Sequence, residues 1–368
     1  MHRGHSLYLD WIRLIAALEV FAFHLRGMPA TGITLSGWNA LGHEAVVIFF
    51  VLSGFVIRHA AGTRDQTGRD FAISRLTRVY SVAIPALVLT YVFDRIGHSL
   101  DASLYEGLTP RGSPFVRLGI GAAMLNEAWV SVQMLSNTPY WSISYEFWYY
   151  VIFGAVFYLR GKTRWIAAIV AASIAGPKIL LLFPLWMMGW YVYTERASAR
   201  WPRWVVWLAF WQPIAVLYLY RHFDLMGSSA DALESWMGHD AWRNGLSWSR
   251  FVLSDTFLGI SVAFNLAAAK HLGPALERML GRATRPIRWA AGSSFTLYLI
   301  HQPTILVTTA ALIPFVPLEW RGLAVAVVAL GIILAIATVT EGQRHRLKAV
   351  FERLFRPNGP PLRARKAA

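Results

Sequence analysis

Long apolar runs separated by short polar stretches dominate this chain. Runs with little or no charge cover residues 38–57, 79–97, 140–159, 204–220, 251–269, 289–311 and 322–340. Each is long enough to cross a bilayer as a helix. A weaker pair, 165–176 and 179–193, is broken by Gly176-Pro177-Lys178. The period-two alternation of a membrane β-barrel is missing. The first run differs from the rest. Residues 7–25 read LYLDWIRLIAALEVFAFHL and include Asp10, Arg13, Glu19 and His24. With it, the pattern predicts an all-α polytopic integral membrane protein of about ten transmembrane helices.

Ionisable groups in hydrocarbon are costly, so they turn toward a protein interior and serve chemistry or transport. Arg13 and His24 are eleven residues apart. That spacing returns the helix to within about 20° of the same face, about 16 Å further along its axis. The alternative is a buried ion network that only ties helices together.

Composition agrees with the membrane reading. The 368 residues are 56% hydrophobic and only 15% charged, with a mean hydropathy of +0.42. That is too apolar for a soluble domain of this length. A net charge of +15 would suit nucleic acid, but its distribution does not. The cations sit in short loops, such as Arg64, Arg69, Arg75 and Arg78, then Arg160, Lys162 and Arg164, and again Arg278 to Arg288. With ten spans these loops share one side, which the positive-inside rule makes cytoplasmic, together with both termini. No nucleic-acid partner is expected. The segment 222–249 is acidic instead, and the apolar segment 115–130 reads as interfacial. Residues 1–343 form the membrane domain and 344–368 a basic cytoplasmic tail, partly disordered over its Pro- and Arg-rich end. The first run lacks a small-residue cleavage site and is expected to stay in the mature protein. There is no cysteine, hence no disulfide and no thiolate nucleophile. No metal is expected.

Several motifs carry chemistry. FFVLSGFVI, 49–57, puts Ser53-Gly54 in an apolar helix, a notch for a ligand or simply for close helix packing. Arg75 and Arg78 share a helical face, suited to phosphate oxygens or to anchoring at the membrane surface. Glu146 lies in WSISYEFWYY beside Trp141 and Tyr145, and SFTLYLIHQP brings Tyr298 and His301 near mid-membrane. One buried Glu and two buried His residues can make an acid–base relay.

RLIAALEVFAFH resembles the Arg-x10-His motif of the acyltransferase-3 family of integral-membrane O-acyltransferases. FFVLSGFVI, RLTRVY, WSISYEFWYY, LWMMGWYVY and SFTLYLIHQP look like further signatures of that family, in its order, from about residue 7 to 341. Two positions depart from the pattern. Val47 stands where the family often has an acid, and Glu341 is followed by Gly342-Gln343 rather than by a nearby Pro. The soluble domain that some relatives append is not expected here.

The resemblance implies transfer of an acyl group, most often acetyl from acetyl-CoA, to a hydroxyl of a carbohydrate or related acceptor such as a glycolipid. The setting would be the lipid bilayer of a bacterial inner membrane. In that scheme His24 is the general base, with Glu146 orienting or charging it, and Arg13 steadies charge on the thioester. Arg75 and Arg78, with Ser53 and Trp141, hold the donor. Tyr298, His301 and Asp10 are further site candidates. Trp236, Trp242 and Trp248 could stack on an acceptor sugar or anchor at the interface. A transporter or flippase using the buried His, Glu and Arg as a relay is the competing class.

Overall fold

The computed structural model describes residues 1–34, 40–108 and 112–355. The expectation of disorder over 356–368 lies outside the described residues, as does the start of the run 38–57. Among the described residues the fold is helical, and an isolated bridge between Met134 and Asn137 is the one β-type pairing.

Fifteen α-helices follow in chain order among the described residues. They are α1 Arg3–Arg26, α2 Gly42–Thr63, α3 Gly68–Leu100, α4 Pro114–Ala122 and α5 Trp141–Tyr158. Then come α6 Gly161–Leu181, α7 Phe183–Thr194, α8 Arg203–His222, α9 Leu225–Met237 and α10 Val252–Ala269. The last are α11 Gly273–Leu280, α12 Thr284–Ala291, α13 Ser294–Leu312, α14 Leu318–Val339 and α15 Arg344–Leu354.

Six of these regions are long and apolar enough to cross a membrane: those of α2, α3, α6, α10, α13 and α14. A multi-pass membrane protein follows; the figure of ten does not follow from length and composition alone. Helices α1, α5 and α8 have the length for it. The charges of α1, and the many Trp and Tyr residues of α5 and α8, depress their hydropathy. Helix α7 has 12 residues and spans about 18 Å, short of the roughly 30 Å hydrocarbon core.

Several boundaries move from those expected. The run 289–311 is two helices, because α12 ends at Ala291 and α13 begins at Ser294. The weak pair breaks where expected, at Gly176, whose φ of 81° and ψ of 173° are open to glycine. Helix α6 then resumes to Leu181, so the second member is shorter than 179–193. The segment 115–130 yields only α4, nine residues long, and the acidic segment 222–249 contains α9. The tail is helical through α15.

Helix α13 is the centre of the bundle, with 16 of its 19 residues buried. Its Tyr298, His301 and Gln302 therefore face protein and not lipid. Helix α5 packs Tyr145 and Tyr149, both fully buried, into the same core as Phe50, Val82 and Leu299. Close crossing of α2 and α7 completes the core. A Cβ on Gly54 would lie 1.9 Å from the Trp186 carbonyl oxygen, and one on Gly189 1.8 Å from that of Val51. Each helix touches the other's backbone through a glycine. At the start of α3, the Thr67 hydroxyl accepts from the Asp70 amide at 3.1 Å, so the chain turns directly from the α2–α3 loop into a 33-residue helix.

Candidate active site

His24 and His301 meet. His301 Nδ1 lies 2.7 Å from the Tyr298 carbonyl oxygen, one turn back on α13, so this nitrogen carries the hydrogen. The other nitrogen, Nε2, is then a bare lone pair. It faces His24 Nδ1 at 3.1 Å. His24 Nδ1 also lies 2.9 Å from the Val20 carbonyl oxygen. Both neighbours are acceptors, so the His24 hydrogen sits on Nδ1 and its Nε2 keeps the lone pair. The rings are 4.8 Å apart at 59°. His301 is fully buried, whereas His24 is half-buried at the C-terminal end of α1.

Glu146 does not contact His24. It accepts from Ser53 Oγ at 2.6 Å and from the Tyr150 hydroxyl, and it interacts electrostatically with Arg13 and Arg78. Trp186 Nε1 donates to Ser53 Oγ at 3.2 Å. The partner of His24 is thus His301, and Glu146 belongs to a separate polar cluster about the Arg13 level of α1. Arg13 and His24 share one stripe of α1, and the neighbouring helices give the two ends of that stripe different company.

That cluster lines a cavity of about 820 Å³. Its walls include Arg13, Ser53, Arg75, Arg78, Glu146 and Tyr298. It runs from an exposed rim, where the Arg64 side chain is 67% accessible, to a buried end at Ser142 and Tyr298. Seven Arg or Lys side chains line it against four Asp or Glu, so the cavity favours an anion. Arg75 is buried and pairs with Asp65 at 3.3 Å, and Arg64 holds the other oxygen of Asp65 at 3.0 Å. The Arg78 guanidinium lies over the Phe295 ring, 5.4 Å from its centroid. The Tyr298 hydroxyl bonds Ser142 at 2.6 Å, and its ring stands 6.1 Å from that of His301. Tyr298 is therefore the residue between the cavity's inner end and the histidine pair.

Four expected residues stand outside this cavity: His24 and His301, Asp10 and Trp141. Asp10 pairs with Arg13 at 3.4 Å without lining the cavity. Trp141 lines a second hollow of about 240 Å³, together with Glu127, Asn137, Thr138 and Trp248. The Trp141 and Trp248 rings stack 5.2 Å apart. The Thr138 amide donates to the Gln302 side chain at 3.2 Å, so this hollow adjoins the residue after His301. Glu127 lies in the segment between α4 and α5. Burial raises its pKa to about 7, against the opposing pull of Ser131 and Lys178.

Two ion pairs escaped the sequence reading. His43 Nε2 meets Asp255 at 2.9 Å, and Arg221 meets Glu44 at 2.9 Å. They tie the start of α2 to α10 and α8. Asp255 had a signal, since it is an ionisable residue within the apolar run 251–269.

A histidine pair near a cationic cavity suits acyl transfer, and sequence comparison agrees. The family model described as an acyltransferase domain matches residues 6–339. The chain belongs to the acyltransferase-3 family. Among curated relatives, the acyltransferase MdmB of Streptomyces mycarofaciens is 30% identical over 219 residues, 56% of this chain and 52% of that protein. An O-acetyl transferase of Shigella phage Sf6 is 28% identical over 206 residues, 51% of this chain and 59% of that protein. The matched regions thus span little more than half the length of these relatives. No solved structure matches the chain.

Proposed function

We propose that this chain is a membrane-bound O-acyltransferase of a bacterial inner membrane. It would move an acetyl group from acetyl-CoA to a hydroxyl of a carbohydrate or glycolipid. The observation that carries this reading is the His24–His301 pair, whose hydrogen bonds leave His24 Nε2 free as a base, with Tyr298 standing between His301 and the inner end of an anion-favouring cavity. Family membership and the phage O-acetyl transferase support it.

In this scheme the phosphates of CoA lie against the arginines of the cavity, and the thioester points toward Tyr298. His24 Nε2 takes the proton of the acceptor hydroxyl as its oxygen attacks the thioester carbonyl. The C–S bond breaks, and the CoA thiolate leaves with the proton that His24 returns. Arg13 offsets charge on the thioester oxygen. Ten crossings with both termini in the cytoplasm would give the cavity rim a cytoplasmic opening and put His24 about three turns nearer the outer face than Arg13. The acceptor would come from the outer face, with the hollow at Trp141 and Trp248 as its approach, and only the acyl group would change sides.

The test uses right-side-out vesicles loaded with acetyl-CoA and given an impermeant acceptor outside. External acceptor should become acylated. Reaction only when donor and acceptor share a compartment would overturn the two-sided geometry. No thioester turnover at all, with movement of acceptor across the bilayer, would favour a transporter.

A further inference from the structure

Helix α15 lies beyond the last apolar run, yet it forms part of the wall of the 820 Å³ cavity. Arg344, His345, Lys348 and Glu352 all line it. Arg344, Lys348 and Glu352 follow at four-residue steps, so they occupy one stripe of the helix. The helix is held in place from below. Arg69, itself on the cavity wall, donates from Nε to the Phe355 carbonyl oxygen at 2.8 Å and from Nη2 to that of Glu352 at 3.3 Å. These are the carbonyls that a helix end leaves without partners, so Arg69 docks α15 on the start of α3.

The shape of the cavity assigns this stripe a ligand group. The buried end, at Ser142 and Tyr298, is the end toward the histidines, since the Tyr298 ring stands 6.1 Å from that of His301. A thioester directed there leaves the far end of a long donor at the exposed rim. For CoA, the far end is the adenosine with its 3′-phosphate. Arg344 and Lys348 are cations at that rim. Glu352 is 3.4 Å from Lys348, but both side chains are about half exposed, so the pair opens at little cost when a phosphate arrives.

We infer that Arg344 and Lys348 of α15 bind the 3′-phosphate of the donor's adenosine. The membrane domain alone then lacks part of its donor site. This rests on the reading of the cavity as a CoA site, and a lipid headgroup could offer the same phosphate chemistry. The experiment separates the two sources and the two claims.

Full-length protein is reconstituted in vesicles of phosphatidylcholine alone and in vesicles also containing phosphatidylglycerol. Binding of CoA and of 3′-dephospho-CoA is measured, along with turnover of acetyl-CoA and of S-acetylpantetheine. Wild type should bind CoA at least about tenfold more tightly than dephospho-CoA, as a charge-assisted contact warrants. The double variant Arg344→Ala/Lys348→Ala should lose this preference in both lipids and show a raised KM for acetyl-CoA. Its turnover of S-acetylpantetheine should be unchanged, which also shows that the variant is folded. Glu352→Gln should tighten CoA binding, because Lys348 is released. An unchanged preference in the double variant would overturn the inference while leaving the CoA reading intact. An effect confined to phosphatidylglycerol vesicles would make α15 a headgroup anchor and overturn it too. Wild type that binds no CoA would overturn both.

Discussion

The base role proposed for His24 depends on which of its nitrogens is occupied. His301 donates to the Tyr298 carbonyl and presents a lone pair to His24, and that arrangement directs the free lone pair of His24 away from His301. His24→Ala should lower kcat by about 10²–10⁴-fold with the protein still inserted, the range for losing a general base. His301→Ala should lower kcat less and displace the pH profile of kcat. Glu146→Gln should instead raise the KM for the donor and leave that profile in place, since Glu146 sits with Arg13 and Arg78. Purified variants assayed across pH decide this; a profile displaced by Glu146→Gln but not by His301→Ala would return the orienting role to Glu146. Glu127 makes a separate claim on pH. Its pKa is raised from an ordinary 4.5 to about 7 by burial in the segment between α4 and α5. A carboxyl raised on folding contributes stability that is full below pH 4.5 and is lost as pH rises through about 7. The loss is roughly 3–4 kcal/mol at most. Wild-type Tm should therefore fall between pH 5 and 8, and Glu127→Gln should flatten that fall. A Tm curve unchanged by the substitution would mean that Glu127 stays charged when folded.

At the scale of elements, Ser53 and Gly54 are neighbours with different tasks. The sequence leaves the pair open between a ligand notch and helix packing; in the structure Ser53 lines the cavity and Gly54 serves the packing. Ser53 points into the cavity and donates to Glu146. Gly54 lies against the backbone of α7. A methyl group there would meet the Trp186 carbonyl oxygen, and backbone cannot rotate away as a side chain can. Gly54→Ala and Gly189→Ala should each force α2 and α7 apart and destabilise the protein by about 1–3 kcal/mol or more. Thermal melting in detergent checks this. Ser53→Ala removes the hydrogen bonds with Glu146 and Trp186 but forces no helices apart, so it should be destabilised less than either glycine variant. Equal stability of all three variants would show that the crossing is looser than its glycines imply. The break at Gly176 belongs to this scale as well. Its dihedral angles suit glycine, and the Gly-Pro dipeptide announced the interruption in the sequence.

For the whole molecule, the arrangement is a bundle with one fully surrounded helix, α13, and hollows on two sides of it. The large one is cationic and opens where the loop between α2 and α3 meets the start of α3 and α15. The small one is formed by the segment between α4 and α5 together with Trp248, and it touches Gln302. A donor and an acceptor that enter separately could meet at α13 without sharing a path. This is the geometry that the loaded-vesicle experiment tests. It also gives a reason for the bundle to surround α13 with protein. A reactive thioester next to a base has to be kept from water, and a helix with 16 of 19 residues buried lies where water is excluded.

The apolar runs, the ionisable residues inside them and the family motifs were all legible along the chain, because they depend on local composition and on spacing within one helix. Hydrocarbon is a uniform solvent, so a charge within it stands out with no knowledge of what surrounds it. What pairs with each charge depends on how helices far apart in sequence cross. Only the tertiary structure gave His24 the partner His301, 277 residues away, and moved Glu146 into the company of Ser53, 93 residues away. It alone put Trp141 in a different hollow from Arg75 and Arg78. It also made Arg344–Leu354, the start of the basic tail, a helix docked on Arg69. A run of cations reads the same in a sequence whether it is loose in the cytoplasm or folded over the rim of a cavity, and the difference lies in two hydrogen bonds made 283 and 286 residues apart.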